Sequence, residues 1–143
     1  MQLIFATNNE NKVKEIRVAL NDSFEIISLK EAGIDKEIPE PHDTLEANAT
    51  EKSRVIFEMT GKNCFSEDTG LEVEALDGAP GVISARYAGE NASYTDNVEK
   101  LLKEMDGKEN RKARFKTVIS LIINGEEKQF VGMCTGNITE KAV

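Results

Sequence analysis

The dipeptide Asn124-Gly125 constrains the fold of this sequence most, because it joins two long runs of strand-forming residues, 113–123 and 128–135. Asn-Gly between such runs is the strongest short-range signal for a β-hairpin. Strands joined by a two-residue turn are antiparallel neighbours. The carboxyl-terminal part of the chain is therefore expected to contain an antiparallel pair.

The amino-terminal half follows a different pattern, in which strand-length apolar runs alternate with helical stripes. Strands are predicted at 2–6 and 24–29, and between them Val13, Ile16 and Leu20 recur at the spacing of one helical face. A polar turn separates the first strand from this helix. Strand, loop and helix in this order open an α/β unit.

A second helix is predicted to begin near Asp43, which forms a capping-box pattern with Glu46, and to end at Gly61. A third helix is predicted between Ser93 and Gly107. The apolar stripe of the second helix consists of Leu45, Ala49, Ile56 and Met59.

Two further strands are expected at 63–67 and 71–76, on either side of the acidic group described below. The predicted fold class is α/β (α+β), with a mixed, largely extended central sheet and flanking helices. The length of 143 residues favours a single domain, 1–143.

Composition narrows the functional classes. No apolar run approaches the roughly 20 residues of a membrane span, and the start of the chain has no basic leader, so the cytoplasm is the expected compartment. A formal net charge of −8 disfavours binding to a nucleic-acid backbone. Cys64 and Cys134 are predicted to be reduced core residues, because nothing indicates export.

The first candidate group is the loop after the first strand, and it has two interpretations. Backbone N–H groups at a helix N-terminus attract anions, and Lys12 adds a full positive charge. The alternative is an ordinary turn with a helix cap. The residues of the loop are Thr7, Asn8, Asn9, Glu10, Asn11 and Lys12.

The second candidate group is Glu67-Asp68-Thr69-Gly70. Neighbouring side chains of a regular strand point to opposite faces, so Glu67 and Asp68 can converge only if the chain bends, which Gly70 would permit. Converging carboxylates could hold Mg²⁺ and activate a water molecule. The alternative is a solvated acidic turn.

The third candidate group lies on the second helix. Asn48 and Lys52 are four residues apart, so they share a face and could reach one ligand. Glu46 is either a metal ligand or the cap partner of Asp43. His42, the sole histidine, is predicted to be an exposed loop residue, because no nucleophile elbow accompanies it.

Taken in order, four segments of the sequence resemble the Ham1-like inosine/xanthosine triphosphate pyrophosphatases. They are "FATNNENKVKEI", "DTLEANATEK", "SEDTGLEVEALDGAPGVISARYAG" and "ARFKTVISLI". The resemblance implies an ITPase/Maf-like architecture, a homodimer, and Mg²⁺-dependent hydrolysis of ITP, dITP or XTP to the monophosphate and pyrophosphate. A Maf-like pyrophosphatase is a further possibility that the motifs fit less well.

The resemblance also implies residue roles. Asp68 would be the catalytic base and a metal ligand, with Glu67 and Glu46 as further metal ligands. Lys52 would neutralise phosphate charge and Thr69 would contact the substrate. The residues from Thr7 to Lys12 would cradle the triphosphate.

The sequence departs from the family pattern at two places. Ala47 stands where the family usually has a glutamate before Asn48, so either Glu46 substitutes for that ligand or the ligand is missing. The family's carboxyl-terminal base-recognition motifs are not found after the hairpin. The alternative function is therefore a shortened, catalytically impaired relative that binds nucleotide or metal, or only oligomerises.

Overall fold

The computed structural model describes residues 1–21 and 23–142. The strands of this part of the chain are β1 (Gln2–Phe5), β2 (Glu25–Ile27), β3 (Cys64–Val73), β4 (Pro80–Gly81), β5 (Lys112–Ile123) and β6 (Glu126–Asn137), and its helices are α1 (Glu10–Leu20), α2 (Leu45–Thr60) and α3 (Tyr94–Glu104). Strand β1 pairs in parallel with β2 and β3, and β3 pairs antiparallel with β4. The predicted mixed α/β fold is confirmed.

The chain divides into two compact units. The first contains Met1–Asp68 and Val118–Phe130, and the second contains Thr69–Thr117 and Val131–Val143. Strands β3, β5 and β6 contribute residues to both. The assignment of 1–143 to a single domain stays a prediction.

In the first unit the strands lie in the order β2-β1-β3-β5-β6. The chain leaves β1 through α1 to β2 on one side, and returns through α2 to β3 on the other. Crossovers between parallel strands are right-handed, so two crossovers that run in opposite directions place their helices on opposite faces of the sheet.

Two apolar clusters confirm this arrangement. On one face Leu3, Phe5 and Phe65 pack with Val13 of α1. On the other face the alternate strand residues pack against α2, which contributes Ile56. The strand residues of that second cluster are Ile4, Ala6, Cys64 and Ile122. The period-2 alternation of β1 and β3 thus sends odd-numbered residues towards α1 and even-numbered residues towards α2.

In the second unit, β4 extends the sheet beside β3, where Leu71 is opposite Gly81. Helix α3 begins at Ser93, whose hydroxyl and backbone N–H form a capping box with Asp96. Met105, at the end of α3, is fully buried. The predicted start of this helix is confirmed.

The hairpin is confirmed as well. Asn124 and Gly125 both have positive φ angles, of 52° and 85°, as the favoured two-residue turn requires. The strands on either side are longer than predicted, because β6 begins at Glu126 and continues to Asn137.

Four predictions about local structure are wrong. Helix α2 is capped by Thr44, whose hydroxyl accepts from Ala47 N, and not by Asp43. The two strands expected around the acidic group are one continuous strand, β3. Met59 and Cys134 are exposed, although the apolar stripe of α2 and the apolar neighbours of the cysteine predicted burial.

In the described residues, no helix is both long enough and apolar enough to span a membrane.

Candidate functional site

The candidate site lies at the carboxyl end of β1, beside the part of β3 that follows Phe65. The strands are parallel, with Phe5 opposite Phe65, so the loop that follows β1 and the residues after Phe65 meet at one edge. The crossovers from β1 and back to β3 run in opposite directions here. In open α/β sheets, ligands bind outside the carboxyl ends of strands at such a switch point.

The adjacent carboxylates of β3 point to opposite faces of the sheet. Glu67 Oε2 pairs with Nζ of Lys12 on α1 at 2.8 Å, whereas Asp68 Oδ1 lies 3.8 Å from Nζ of Lys52 on α2. Ser66, two residues before Asp68, also faces α2 and donates to the Ala49 carbonyl. The strand therefore stays regular through this region, and the prediction of a bend at Gly70 is wrong.

Asp68 is the buried acid of the site, with 6% of its surface exposed. Its Oδ2 is the buried side-chain oxygen that has no hydrogen-bond partner within the described part of the chain. A buried polar atom without a partner carries a desolvation penalty of about 1–3 kcal/mol, and the penalty is larger for a charged group such as a carboxylate. Such an atom is unusual in a folded protein, and a ligand that contacts it would explain its retention.

The electrostatics of Asp68 follow from this burial. Desolvation raises the pKa of Asp68 from 3.8 to about 6, against the opposing effect of Lys52. The nearby carboxylates of Glu40 and Glu67 raise the pKa further, and Lys12 lowers it. A carboxyl group with a pKa near neutrality has the proton affinity that a general base requires.

Lys52 connects the acidic groups on this face. Only 7% of its surface is exposed, and Nζ donates to Glu40 Oε1 at 2.9 Å and to the Glu67 carbonyl at 2.7 Å. The ammonium group thus lies between the Glu40 and Asp68 carboxylates. The predicted role of Lys52 beside Asp68 fits this placement, although its contact with phosphate stays a prediction.

Glu40 was missed from the sequence. It lies in the segment between β2 and α2, where Pro39 and Pro41 indicated only a loop. The sequence did contain one indication of its importance. An acidic residue between two prolines has a restricted backbone, so its side chain is held in fewer orientations than in a flexible loop. Which lysine it would meet could not be read from the sequence.

The loop from Thr7 to Lys12 forms a turn and a helix cap. Asn9 Oδ1 accepts from the backbone N–H groups of Asn11 and Lys12, and Thr7 Oγ1 accepts from Asn9 N. Asn8 Nδ2 donates to the Lys36 carbonyl. The side chains of this loop therefore occupy some of the groups predicted for phosphate, and an anion would have to compete for them. Glu10 and Asn11 are exposed.

The remaining predicted residues have contacts of their own. Glu46 lines a shallow groove with Thr50 and Gln129, away from the buried face that carries Asn48 and Lys52. Thr69 belongs to the second unit, where its hydroxyl forms a 2.8 Å hydrogen bond with that of Thr117. His42 is half-exposed and lies 3.5 Å from a Glu51 oxygen.

The donors available for a cation are therefore fewer than predicted. No group of three or more His, Cys, Asp or Glu side chains is arranged to hold a metal ion in residues 1–21 and 23–142. The predicted set of Glu46, Glu67 and Asp68 is not gathered into one cluster. Asp68 and Glu40 are both within 4 Å of Lys52 Nζ, at 3.8 and 2.9 Å. Mg²⁺ typically takes one or two carboxylates, with phosphate oxygens and waters completing its shell.

Comparisons with known proteins agree with the predicted architecture. A family model described as the Ham1 family matches residues 3–143. The chain is 50% identical to a dITP/XTP pyrophosphatase of Flavobacterium psychrophilum, over all of this chain and 75% of that protein. It is similar to the solved Ham1 protein of Staphylococcus aureus, with a TM-score of 0.89 and 37% identity over 98% of this chain and 73% of that one. A HAM1 protein from Coxiella burnetii gives a TM-score of 0.91 and 31% identity over 99% and 74% of the two chains.

Proposed function

The chain belongs to the Ham1 family, and from that membership we propose that it hydrolyses noncanonical purine nucleoside triphosphates, among them ITP, dITP and XTP, to the monophosphate and pyrophosphate. Relatives at 43–50% identity are named dITP/XTP pyrophosphatases. The observation that carries the proposal is Asp68, a buried carboxylate with a raised pKa and an oxygen without a partner.

In this proposal Asp68 accepts the proton of the attacking water. A general base is most effective when its pKa lies near the working pH, and the pKa of Asp68 is raised to about 6. Lys52 stabilises the negative charge of the phosphate groups from a position 3.8 Å from Asp68. Its burial strengthens this effect, because charges interact more strongly away from water.

Lys12 is the second cation of the proposed phosphate site. Its side chain is 40% exposed, and it is paired with Glu67. A triphosphate carries more negative charge than one carboxylate, so Lys12 can turn from Glu67 to phosphate at little cost in stability. Thr7, Asn8 and Asn9 would then contribute polar contacts from the adjacent loop.

We propose Mg²⁺ as the cofactor. The unpaired Oδ2 of Asp68 and the carboxylate of Glu40 are hard oxygen donors that fit this ion. When bound, Mg²⁺ supplies positive charge to the phosphate oxygens. Glu67 and Glu46 are less suitable, since Glu67 faces α1, on the opposite side of β3 from Asp68, and Glu46 lines a groove with Thr50 and Gln129.

The test is release of pyrophosphate from ITP, dITP and XTP, with ATP and GTP as comparison substrates, in the presence of Mg²⁺. Asp68→Asn should lower the rate by at least about 100-fold, the range expected for loss of a general base. Asp106→Asn, an equivalent change at an exposed position of the second unit, should keep the wild-type rate. Equal rates for wild type and Asp68→Asn would refute the proposal.

The same proteins decide between turnover and the alternative of a binding module. Calorimetric titration with ITP would detect binding without hydrolysis. Binding of ITP by a wild-type protein that releases no pyrophosphate would indicate an impaired relative that acts through nucleotide binding.

We further propose a homodimer. Strand β6 ends the strand order, so its outer edge has no strand partner within the described residues, and exposed edges invite pairing with another chain. Phe130 is exposed on β6 in the first unit, and Val131 and Met133 are exposed in the second. Size-exclusion chromatography with light scattering should give the dimer mass, and Phe130→Glu should shift it towards the monomer. A monomer mass for the wild type would refute this assembly.

A further inference from the structure

Asn48 on α2 contacts the backbone of the segment that carries Glu40. Its side chain is fully buried, with 0% exposure. Oδ1 accepts from His42 N at 2.9 Å, and Nδ2 donates to the His42 carbonyl at 3.2 Å. Both polar ends of the amide thus contact one residue, and the predicted contact of Asn48 with a ligand stays a prediction.

The same face of α2 holds this segment at a second point. Asn48 and Lys52 are four residues apart, and Lys52 Nζ contacts the carboxylate of Glu40. Glu40 lies two residues before His42. One helix face therefore fixes the backbone of the segment through Asn48 and its acidic side chain through Lys52.

The chain on either side of Glu40 has little freedom of its own. Pro39 and Pro41 fix their φ angles, and a residue before proline is excluded from the helical region. Ile38 is buried in the apolar cluster on the α2 face and anchors the amino-terminal side of the segment. The two hydrogen bonds between Asn48 and His42 attach the carboxyl-terminal side of the segment. They therefore help to determine where the Glu40 side chain points.

We propose, on the basis of the function proposed above, that Asn48 is a positioning residue that holds Glu40 beside Asp68 and thereby sets the affinity of the site for a divalent cation. An amide is required, because His42 presents one donor and one acceptor. Alanine offers neither bond, and aspartate lacks the donor. Residues that orient metal ligands typically change metal affinity by about 10- to 100-fold when removed.

Asn48→Ala tests this inference, and Ser53→Ala is its matched control. Ser53 is also fully buried on α2, but its hydroxyl contacts Ser120 on β5 and not the Glu40 segment. The first measurement is Mn²⁺ titrated into the nucleotide-free protein and followed by water-proton relaxation. Asn48→Ala should weaken Mn²⁺ binding by about 10-fold, whereas Ser53→Ala should leave it unchanged.

A second measurement reports on the hydrogen bonds between Asn48 and His42. Hydrogen exchange of the His42 amide should accelerate in Asn48→Ala, because that N–H loses its acceptor, and should not change in Ser53→Ala. In the pyrophosphatase assay, Asn48→Ala should raise the Mg²⁺ concentration for half-maximal rate, while the rate at saturating Mg²⁺ recovers.

The outcomes separate this inference from the proposed function. If the wild type releases no pyrophosphate but Asn48→Ala still weakens Mn²⁺ binding, the proposed function fails and the positioning role stands. Unchanged Mn²⁺ affinity in Asn48→Ala, despite faster exchange at His42, would overturn the inference. Equal weakening by Asn48→Ala and Ser53→Ala would also overturn it, because it would show only a general dependence on the stability of α2.

Discussion

The two faces of β3 carry two lysine–carboxylate pairs of opposite character. Lys12 and Glu67 form a close pair at 2.8 Å that remains open to water, with 40% of the Lys12 side chain exposed. Lys52 and Asp68 lie further apart, at 3.8 Å, and both are buried. Adjacent residues of one strand thus place the same two charges in different dielectric surroundings.

This difference suggests a division of roles. An exposed pair contributes about 0–1 kcal/mol and can exchange partners freely, so Lys12 is suited to meet an incoming phosphate. A buried pair loses several kcal/mol of hydration per ion, so every partner of Lys52 and Asp68 matters. We infer that the α1 face is suited to exchange and that the α2 face is built to hold a fixed arrangement of charge.

The largest expected effect is on Lys52. Lys52→Met should lower the free energy of unfolding by about 3 kcal/mol, because it leaves two carboxylates without the cation between them. Lys12→Met should lower it by less than about 1 kcal/mol. Urea unfolding at pH 8 without divalent cations measures both. Equal losses would show that burial does not distinguish the two faces.

An effect of similar size and opposite sign is expected at Asp68. The pKa of Asp68 is about 6 in the folded protein, against an ordinary value of 3.8, so the folded state binds this proton more tightly than the unfolded state does. Stability from this group is therefore fully present below about pH 4 and is lost as the pH rises through 6. At pH 8 the ionised carboxylate is a cost, which Asp68→Asn removes.

Asp68→Asn should thus raise the free energy of unfolding at pH 8 by about 3 kcal/mol, since the pKa shift from 3.8 to about 6 corresponds to about 1.4 kcal/mol per unit. The gain should shrink between pH 6 and pH 4 and vanish below. Urea unfolding across this pH range, in metal-free buffer, measures the change. Glu67→Gln is the matched control on the other face, and a pH-independent gain in Asp68→Asn would contradict the assigned titration.

The parts of the fold that follow from local patterns could be predicted from the sequence. The Asn124-Gly125 turn and the Ser93 cap depend on residues close in the chain, and both were correct. The continuity of β3 was missed because Gly70 permits a bend without requiring one. Asp43 was predicted as the cap in place of Thr44 because both are preferred N-cap residues, and the sequence pattern does not decide between two such neighbours.

The candidate site shows the same limit more clearly. The acidic pair and Lys52 could be identified in the sequence, but which carboxylate faces which lysine depends on the parity of β3 and on the crossover helices. Glu40 meets Lys52 at a sequence separation of 12 residues, a contact that no local rule specifies. Glu46 was a candidate by spacing; it lines a groove with Thr50 and Gln129, and its role as a metal ligand stays a prediction.

The smallest expected effect concerns the exposed pair, and it tests the comparison from the other side. A double-mutant cycle of Lys12→Met and Glu67→Gln should give a coupling energy of about 0.2–1 kcal/mol. Because salt screens exposed charges over about 10 Å at 0.1 M, the coupling should fall towards zero in 1 M NaCl. The matching cycle of Lys52→Met and Asp68→Asn should keep most of its coupling at 1 M NaCl, since buried charges are screened far less. Loss of both couplings in salt would mean that water reaches the α2 face, and Asp68 would then lack the dry surroundings that raise its pKa.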